Sequence, residues 1–259
     1  MSLSVIEPAL HEVAEWNVMD GNVRVGRSGL NPQLALEKKA LLAEMDRFGI
    51  GSAVVTHFVA EEYDVSQGNA ALQRDLHPRF VPAWAASPEP ENLEFLTAHK
   101  PQAVRLFFGV SRHNFSSAPW CCGALYDYLQ QNSVLLMASR EDIEWNALAE
   151  VLQAFPRLNV LVLDIGYRAD RYLFPLLRKF ANLYFDTSTY VAHRQLEAFV
   201  DQFGPDRAIY GSRLPLYTPG TALGVIASAR IRDGAKLAIA GGNLRRLLRI
   251  PEGVQRGRG

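Results

Sequence analysis

Short apolar runs alternate with amphipathic stretches along this chain, and the alternation recurs eight times. The runs predict strands at Asn17–Val25, Ser52–Phe58, Phe80–Ala85, Ala103–Phe108, Val134–Ala138, Val160–Ile165, Leu183–Thr187 and Ala208–Ser212. Val134-Leu135-Leu136-Met137 is apolar without a break, the mark of a strand covered on both faces, as in a parallel sheet. Between the runs, apolar residues fall at helical spacing. Leu34 to Phe48 stops at Gly49, Glu144 to Phe155 at Pro156, Asp170 to Phe180 at Asn182, and His193 to Phe203 at Gly204-Pro205. Glycine and proline end helices there for backbone reasons. Alternating strands and helices define an α/β chain, and eight such units predict closure into a single (β/α)8 TIM barrel, one domain over residues 1–259. An open doubly wound sheet has the same content, but no glycine-rich phosphate loop follows any strand, which counts against it.

Composition narrows the function. Hydrophobic residues at 48% supply a large core, and 27 basic against 27 acidic residues leave no net charge. Without a polybasic run, nucleic acid and membrane surfaces are not expected partners. No apolar run approaches the ~18 residues that span a bilayer. The start, Met1-Ser2-Leu3 followed by Glu7, His11 and Glu12, lacks a signal pattern. The basic end from Arg249 to Arg258 reads as a frayed tail. Adjacent Cys121 and Cys122 disfavour a disulfide and predict one buried and one half-buried residue on a helix. These features together lead us to expect a cytoplasmic protein. Tyr172-Leu173-Phe174-Pro175-Leu176-Leu177 suits either a homodimer contact or packing of its helix against the barrel.

The most informative segment is Ile209-Tyr210-Gly211-Ser212-Arg213-Leu214-Pro215, followed by Tyr217-Thr218-Pro219-Gly220. With Leu158 to Gly166, Leu183-Tyr184-Phe185-Asp186-Thr187-Ser188, Phe203-Gly204-Pro205-Asp206-Arg207 and Gly241-Gly242-Asn243-Leu244-Arg245-Arg246-Leu247-Leu248, it resembles the amidohydrolase-related barrel family over nearly the whole chain. That resemblance implies a metal-dependent hydrolase whose strand ends carry a His-x-His pair, two further histidines and an Asp as ligands. This sequence has other residues there. The first-strand pair reads Asn22-Val23-Arg24, the fifth strand offers Met137 or Ala138, the sixth Asp164, and the eighth Arg213. Two arginines repel a divalent cation, so the expectation is no metal and no other cofactor.

If Arg24 and Arg213 take the ligand positions, they sit near the barrel centre and need partners. Asp164 is the expected one, and an Arg24–Asp164–Arg213 cluster follows. Arg105, on the fourth predicted strand, adds a positive group. One reading is a binding site for a small anionic molecule, a carboxylate or phosphate, formed by Asn22, Arg24, Arg105 and Arg213. The other is an internal salt-bridge network that only fills the barrel. Asp164 and His57 are the candidates to move a proton, His57 because it ends the second predicted strand. His113 is a secondary candidate, while His11, His77, His99 and His193 fall to surface roles. Asp186 is expected to pair with an arginine or cap the next turn. Trp84 suits a pocket wall or the core, and Ser139 and Arg140 follow the fifth strand toward the mouth. No Gly-x-Ser-x-Gly elbow supports a serine hydrolase, and the cysteine pair has no partner histidine for a thiol nucleophile. The two function classes left are a metal-free enzyme acting on small carboxylated molecules by hydrolysis, lactone opening or decarboxylation, and a non-catalytic barrel that binds a ligand or partner.

Overall fold

The computed structural model describes Val13 and residues 16–251. The readings made for the N-terminal segment up to Glu12, His11 included, and for the basic end beyond Pro251 lie outside the described residues. Arg249 itself is docked, its guanidinium donating to the carbonyls of Asn132 and Ser133.

The strands are β1 (Val18–Arg27), β2 (Ala35–Leu36), β3 (Ile50–His57), β4 (Phe80–Ala86), β5 (Ala103–Leu106), β6 (Leu135–Ser139), β7 (Val160–Leu163), β8 (Leu183–Asp186) and β9 (Ala208–Ile209). They form one sheet in the order β2-β1-β3-β4-β5-β6-β7-β8-β9. The two-residue β2 runs antiparallel to β1, and every other neighbour is parallel. The sheet curls until β1 meets the chain beyond β9: Gly21 N donates to Tyr210 O, Arg24 N donates to Leu214 O, and Val23 bridges Leu214. The fold is therefore the (β/α)8 barrel that the strand–helix alternation predicts. β2 is an addition. It delays the following helix, so that α1 runs Lys38–Arg47 rather than starting at Leu34.

The helices that matter for the site are α2 (Phe58–Glu62) and α3 (Val65–Asp75) after β3, α4 (Pro90–His99) after β4, and α5 (Pro119–Gln131) after β5. Then come α6 (Trp145–Ala154), α7 (Asp170–Lys179), α8 (Gln195–Phe203), α9 (Pro219–Ser228) and α10 (Asp233–Leu237). A π-helical turn, Ala238–Gly242, leads into α11 (Asn243–Leu248). Cys121 and Cys122 lie on α5, half-buried and buried, as expected. Burial pushes the Cys122 thiol up to about 12, which keeps it protonated.

Two apolar layers hold the barrel. One lies between strands and helices and includes Ala53, Val55, Trp84, Val104, Leu148, Val162 and Phe185. The other fills the inside with Met19, Val54, Val81, Ala83, Ala103, Leu135, Met137, Leu161 and Ile209, and is closed below by Leu244, Leu247 and Leu248 of α11. Alternate residues on each strand feed alternate layers because side chains point to opposite faces with period two. Trp84 belongs to the outer layer, its ring edge-on to Phe95 with centroids 5.5 Å apart, so it packs under α4 and does not wall the mouth. Among the described residues, no helix is long and apolar enough to cross a membrane.

Candidate functional site

The C-terminal ends of the strands gather a ring of charge, and a bulge in β1 is what aims its first members. Between Asp20 and Val23, β1 advances three residues while β3 advances two, from Ala53 to Val55. The extra residue reverses the alternation, so Met19 faces inward below the bulge and Asn22 and Arg24 face inward above it. Asn22 and Arg24 share a face because they are two apart on a strand.

Asn22 is the hub. Its Nδ2 donates to Asp164 Oδ1 and to Asp186 Oδ2, both at 3.0 Å. Its Oδ1 accepts from Nη1 of Arg24 and of Arg105, each at 3.3 Å. Arg24 places Nε 2.5 Å from Glu61 Oε2 and Nη2 3.4 Å from Glu61 Oε1, with Asp164 Oδ2 3.8 Å from Nη2. Arg213 sets Nη2 2.6 Å from Glu141 Oε1. Its Nε lies 3.1 Å from Asp164 Oδ1, close enough for charge attraction but not aligned as a hydrogen bond. Arg112 Nη2 reaches Glu61 at 3.3 Å. The expected contacts of Asp164 with both Arg24 and Arg213 are thus present.

Asp164 and Arg213 follow their strands in left-handed backbone conformations, with φ of 57° and 61°. That turn swings each side chain over the mouth, at a backbone cost that Asp tolerates better than Arg. Asp164 also accepts from Ser139 Oγ at 3.0 Å and Ser188 Oγ at 3.3 Å. Of the two mouth candidates after the fifth predicted strand, Ser139 therefore reaches the cluster. Arg140 turns away, pairing with Glu144 at 3.1 Å and lying over Trp145. Asp186 neither caps a helix nor meets an arginine. It accepts from Asp164 N at 2.8 Å and from Asn22. Burial, then the neighbouring Asp164 charge, pushes its carboxyl well above the usual carboxylate range.

His57 stands apart. It shares the outward face with Ala53 and Val55, opposite inward Thr56, because the strand alternates. Its Nδ1 accepts from Val59 N at 3.1 Å and caps α2, and its ring packs on Gly26, whose φ of 89° and missing Cβ leave room for it. Burial lowers its pKa below the ordinary 6.5, consistent with a neutral acceptor nitrogen. The place expected for a histidine proton carrier near the mouth is thus not where this side chain goes. His113, in the loop after β5, is hydrogen-bonded to Ala60 O at 2.7 Å.

Glu61, Arg112, Glu141 and Asp20 were not foreseen. Glu61 sits one turn past β3, and only the meeting of that turn with β1 gives it Arg24. Burial alone would raise its carboxyl, but the charges of Arg24, Arg105 and Arg112 pull it down to about 2. Asp20 directly follows the apolar pair Val18-Met19 in the first strand, and that placement is the one sequence signal of a buried acceptor. Its Oδ1 takes Asn22 N at 3.0 Å and Ser212 N at 2.9 Å, joining β1 to the chain beyond β9. Among the described residues no three His, Cys, Asp or Glu side chains gather as metal ligands would.

A barrel closed by β1 against the chain beyond β9 carries its charged residues at the C-terminal strand ends, the face where (β/α)8 barrels place their sites. The amidohydrolase family's sequence profile matches residues 10–250, and the chain belongs to that family. No curated protein matches significantly. Solved structures do. An uncharacterised TIM-barrel protein from Bordetella bronchiseptica superposes with a TM-score of 0.72 at 19% identity, over 93% of this chain and 99% of that one. The 2,6-dihydroxybenzoate decarboxylase from Rhizobium gives 0.70 at 13% identity, over 90% and 98%. The 5-carboxyvanillate decarboxylase from Novosphingobium aromaticivorans, solved with manganese and 4-hydroxy-3-methoxy-5-nitrobenzoic acid, gives 0.69 at 10% identity, over 92% and 97%. At such identities the likeness is one of fold.

Proposed function

We propose that the barrel mouth binds a small carboxylated molecule on guanidinium groups, and that the family's divalent metal has no place in it. The observation that carries this reading is the convergence of Arg24, Arg105 and Arg213 on Asn22 and Asp164 at the strand ends. The family resemblance assigns metal ligands to the positions of Asn22, Arg24, Asp164 and Arg213. The donor chemistry argues against a metal fit. Asp164 and Asp186 already accept from Asn22, Ser139, Ser188 and a backbone N–H, and a divalent ion beside them would face two guanidiniums. Planar guanidinium forks instead suit carboxylates.

Two of the three structural neighbours named above are decarboxylases of carboxylated aromatic rings. We extend that substrate class to this chain, with decarboxylation ahead of hydrolysis as the reaction. Loss of CO2 leaves the bonding electron pair on the ring carbon, which then takes a proton. We assign delivery of that proton to the carboxyl of Asp164, which stands at the strand ends between Arg24 and Arg213 and takes a replacement proton from solvent. A second reading has one specific observation in its favour. Arg24 and Arg213 are already paired with Glu61 and Glu141, so the mouth is partly self-neutralised, as in a non-catalytic barrel that only binds.

The experiment is a thermal-shift screen of aromatic carboxylates and phosphate against wild type and Arg213→Met, with elemental analysis of the purified protein. The reading expects stabilisation of wild type by a carboxylate, weakened by added salt and lost in Arg213→Met, with no near-stoichiometric transition metal. A stoichiometric metal, or equal responses from both proteins, refutes it. Binding without turnover of any bound carboxylate favours the second reading.

A further inference from the structure

Arg105 is the largest fully buried side chain among the described residues, at 1% exposure, and it is incompletely bonded. Nη1 donates to Asn22 Oδ1 at 3.3 Å, while Nε and Nη2 are buried without a partner. Those two N–H groups lie on one edge of the guanidinium and point the same way, the geometry that takes both oxygens of one carboxylate. A neighbouring arginine shows what that edge does when filled. Arg24 uses its own Nε and Nη2 to hold the two oxygens of Glu61. Arg105 has the same edge and no carboxylate on it, and no ion pair among the described residues.

The surroundings deepen the deficit. A buried cation with two unmet donors is costly, and native interiors seldom leave such groups unsatisfied. Burial, then the nearby Arg24 charge, lowers the Arg105 pKa to about 10, which still leaves it cationic near neutrality, while Glu61, Asp164 and Asp142 act in the other direction. Glu61 is already shared between Arg24 and Arg112, and Asp164 between Arg24 and Arg213. Asp142, whose carboxyl is raised by burial and then by Glu61, makes no ion pair with Arg105 among the described residues. The guanidinium lies over the Phe107 ring at 5.2 Å, and Phe107 packs against His113 with centroids 6.0 Å apart. An aromatic surface therefore stands next to the unfilled fork.

We propose that the Nε/Nη2 edge of Arg105 is the carboxylate anchor of the mouth, and that it takes a planar aromatic carboxylate whose ring packs near Phe107. This rests on the binding reading above and names the residue within it that grips the ligand. Arg24 and Arg213 then set the field around the anchor, and Asn22 holds the Arg105 guanidinium from its other side. The loop that carries Arg112 and His113 is tied to α2 through Glu61 and Ala60.

The test is calorimetric titration of benzoate into wild type, Arg105→Lys and Arg213→Met, with phosphate as a tetrahedral control. Arg105→Lys keeps the charge and removes the fork. The expected result is benzoate binding to wild type, preferred over phosphate, and weakened about tenfold to a hundredfold in Arg105→Lys, as loss of a charge-assisted pair of bonds requires. Wild-type affinity in a folded Arg105→Lys overturns the anchor while leaving the binding reading intact if Arg213→Met is impaired. No benzoate or phosphate binding by wild type overturns both. If Arg105→Lys does not fold, a crystal structure of wild type soaked in benzoate decides. A carboxylate within hydrogen-bond distance of Arg105 Nε and Nη2 supports the anchor, and one bound elsewhere, or no bound carboxylate, overturns it.

Discussion

Replacing Asp164 tests the charge cluster most directly. Its side chain is fully buried and stands 3.1 Å from Arg213 Nε and 3.8 Å from Arg24 Nη2. Removing one partner from a buried ion pair costs about 3–5 kcal/mol, because the cation left behind cannot recover its hydration. Arg24 and Arg213 each keep another acid, Glu61 and Glu141, which argues for the low end of that range. Two substitutions separate charge from backbone. Asp164→Asn keeps a side chain that tolerates the left-handed φ of 57°, so it reports the lost charge, about 3 kcal/mol. Asp164→Ala adds a left-handed penalty of about 1–2 kcal/mol and leaves the hydroxyls of Ser139 and Ser188 without their acceptor. For a chain of this length, each kcal/mol moves Tm by about 2–4 °C, so Asn should lower it by about 6–12 °C and Ala by more. Urea unfolding should show the midpoint falling with an unchanged slope. An Asn variant within about 0.5 kcal/mol of wild type would mean that Asp164 is effectively solvated and that the cluster does not hold the mouth together.

Three further outcomes follow from single contacts. Burial raises the Asp20 carboxyl from 3.8 to about 6, so its stabilising contribution is complete below the unfolded value and is lost as pH rises through about 6. Asp20→Asn cannot ionise, and its stability relative to wild type should climb by about 2–3 kcal/mol across that window and then level off. A difference that stays flat with pH would contradict the buried acid. His57→Ala should cost about 0.5–2 kcal/mol through the lost α2 cap while leaving carboxylate affinity unchanged, and a large affinity loss in titration would restore the imidazole to the site. A Cβ at Gly68 would overlap the Ala60 backbone where α3 crosses α2, so Gly68→Ala should destabilise by about 1–3 kcal/mol and displace the neighbouring Glu61 from Arg24. An unchanged melting temperature would show that the two helices separate freely.

The barrel was legible in the sequence because burial on both faces leaves a local trace. Strands such as Val160–Leu163 and Leu183–Asp186 are short runs that must be apolar or inward-pointing wherever they lie, and their helices end at residues that cannot continue a helix. The meeting of Arg24, Asp164 and Arg213 was also readable, because strand ends of a closed barrel converge once the order of strands is known. What tertiary structure decided is direction and pairing. The bulge between Asp20 and Val23 sets which β1 residues face inward, and it exists only in register with β3. Strict alternation turns His57 and Trp84 outward, although each ends an apolar run pointing at the mouth in sequence. Glu61 and Glu141 become counter-ions only across loops from different strands, and Arg105 is left with an unfilled edge while Glu61 and Asp164 are engaged by other arginines. Such facts belong to pairs of residues far apart in the chain, and a single residue's chemistry carries no record of its partner.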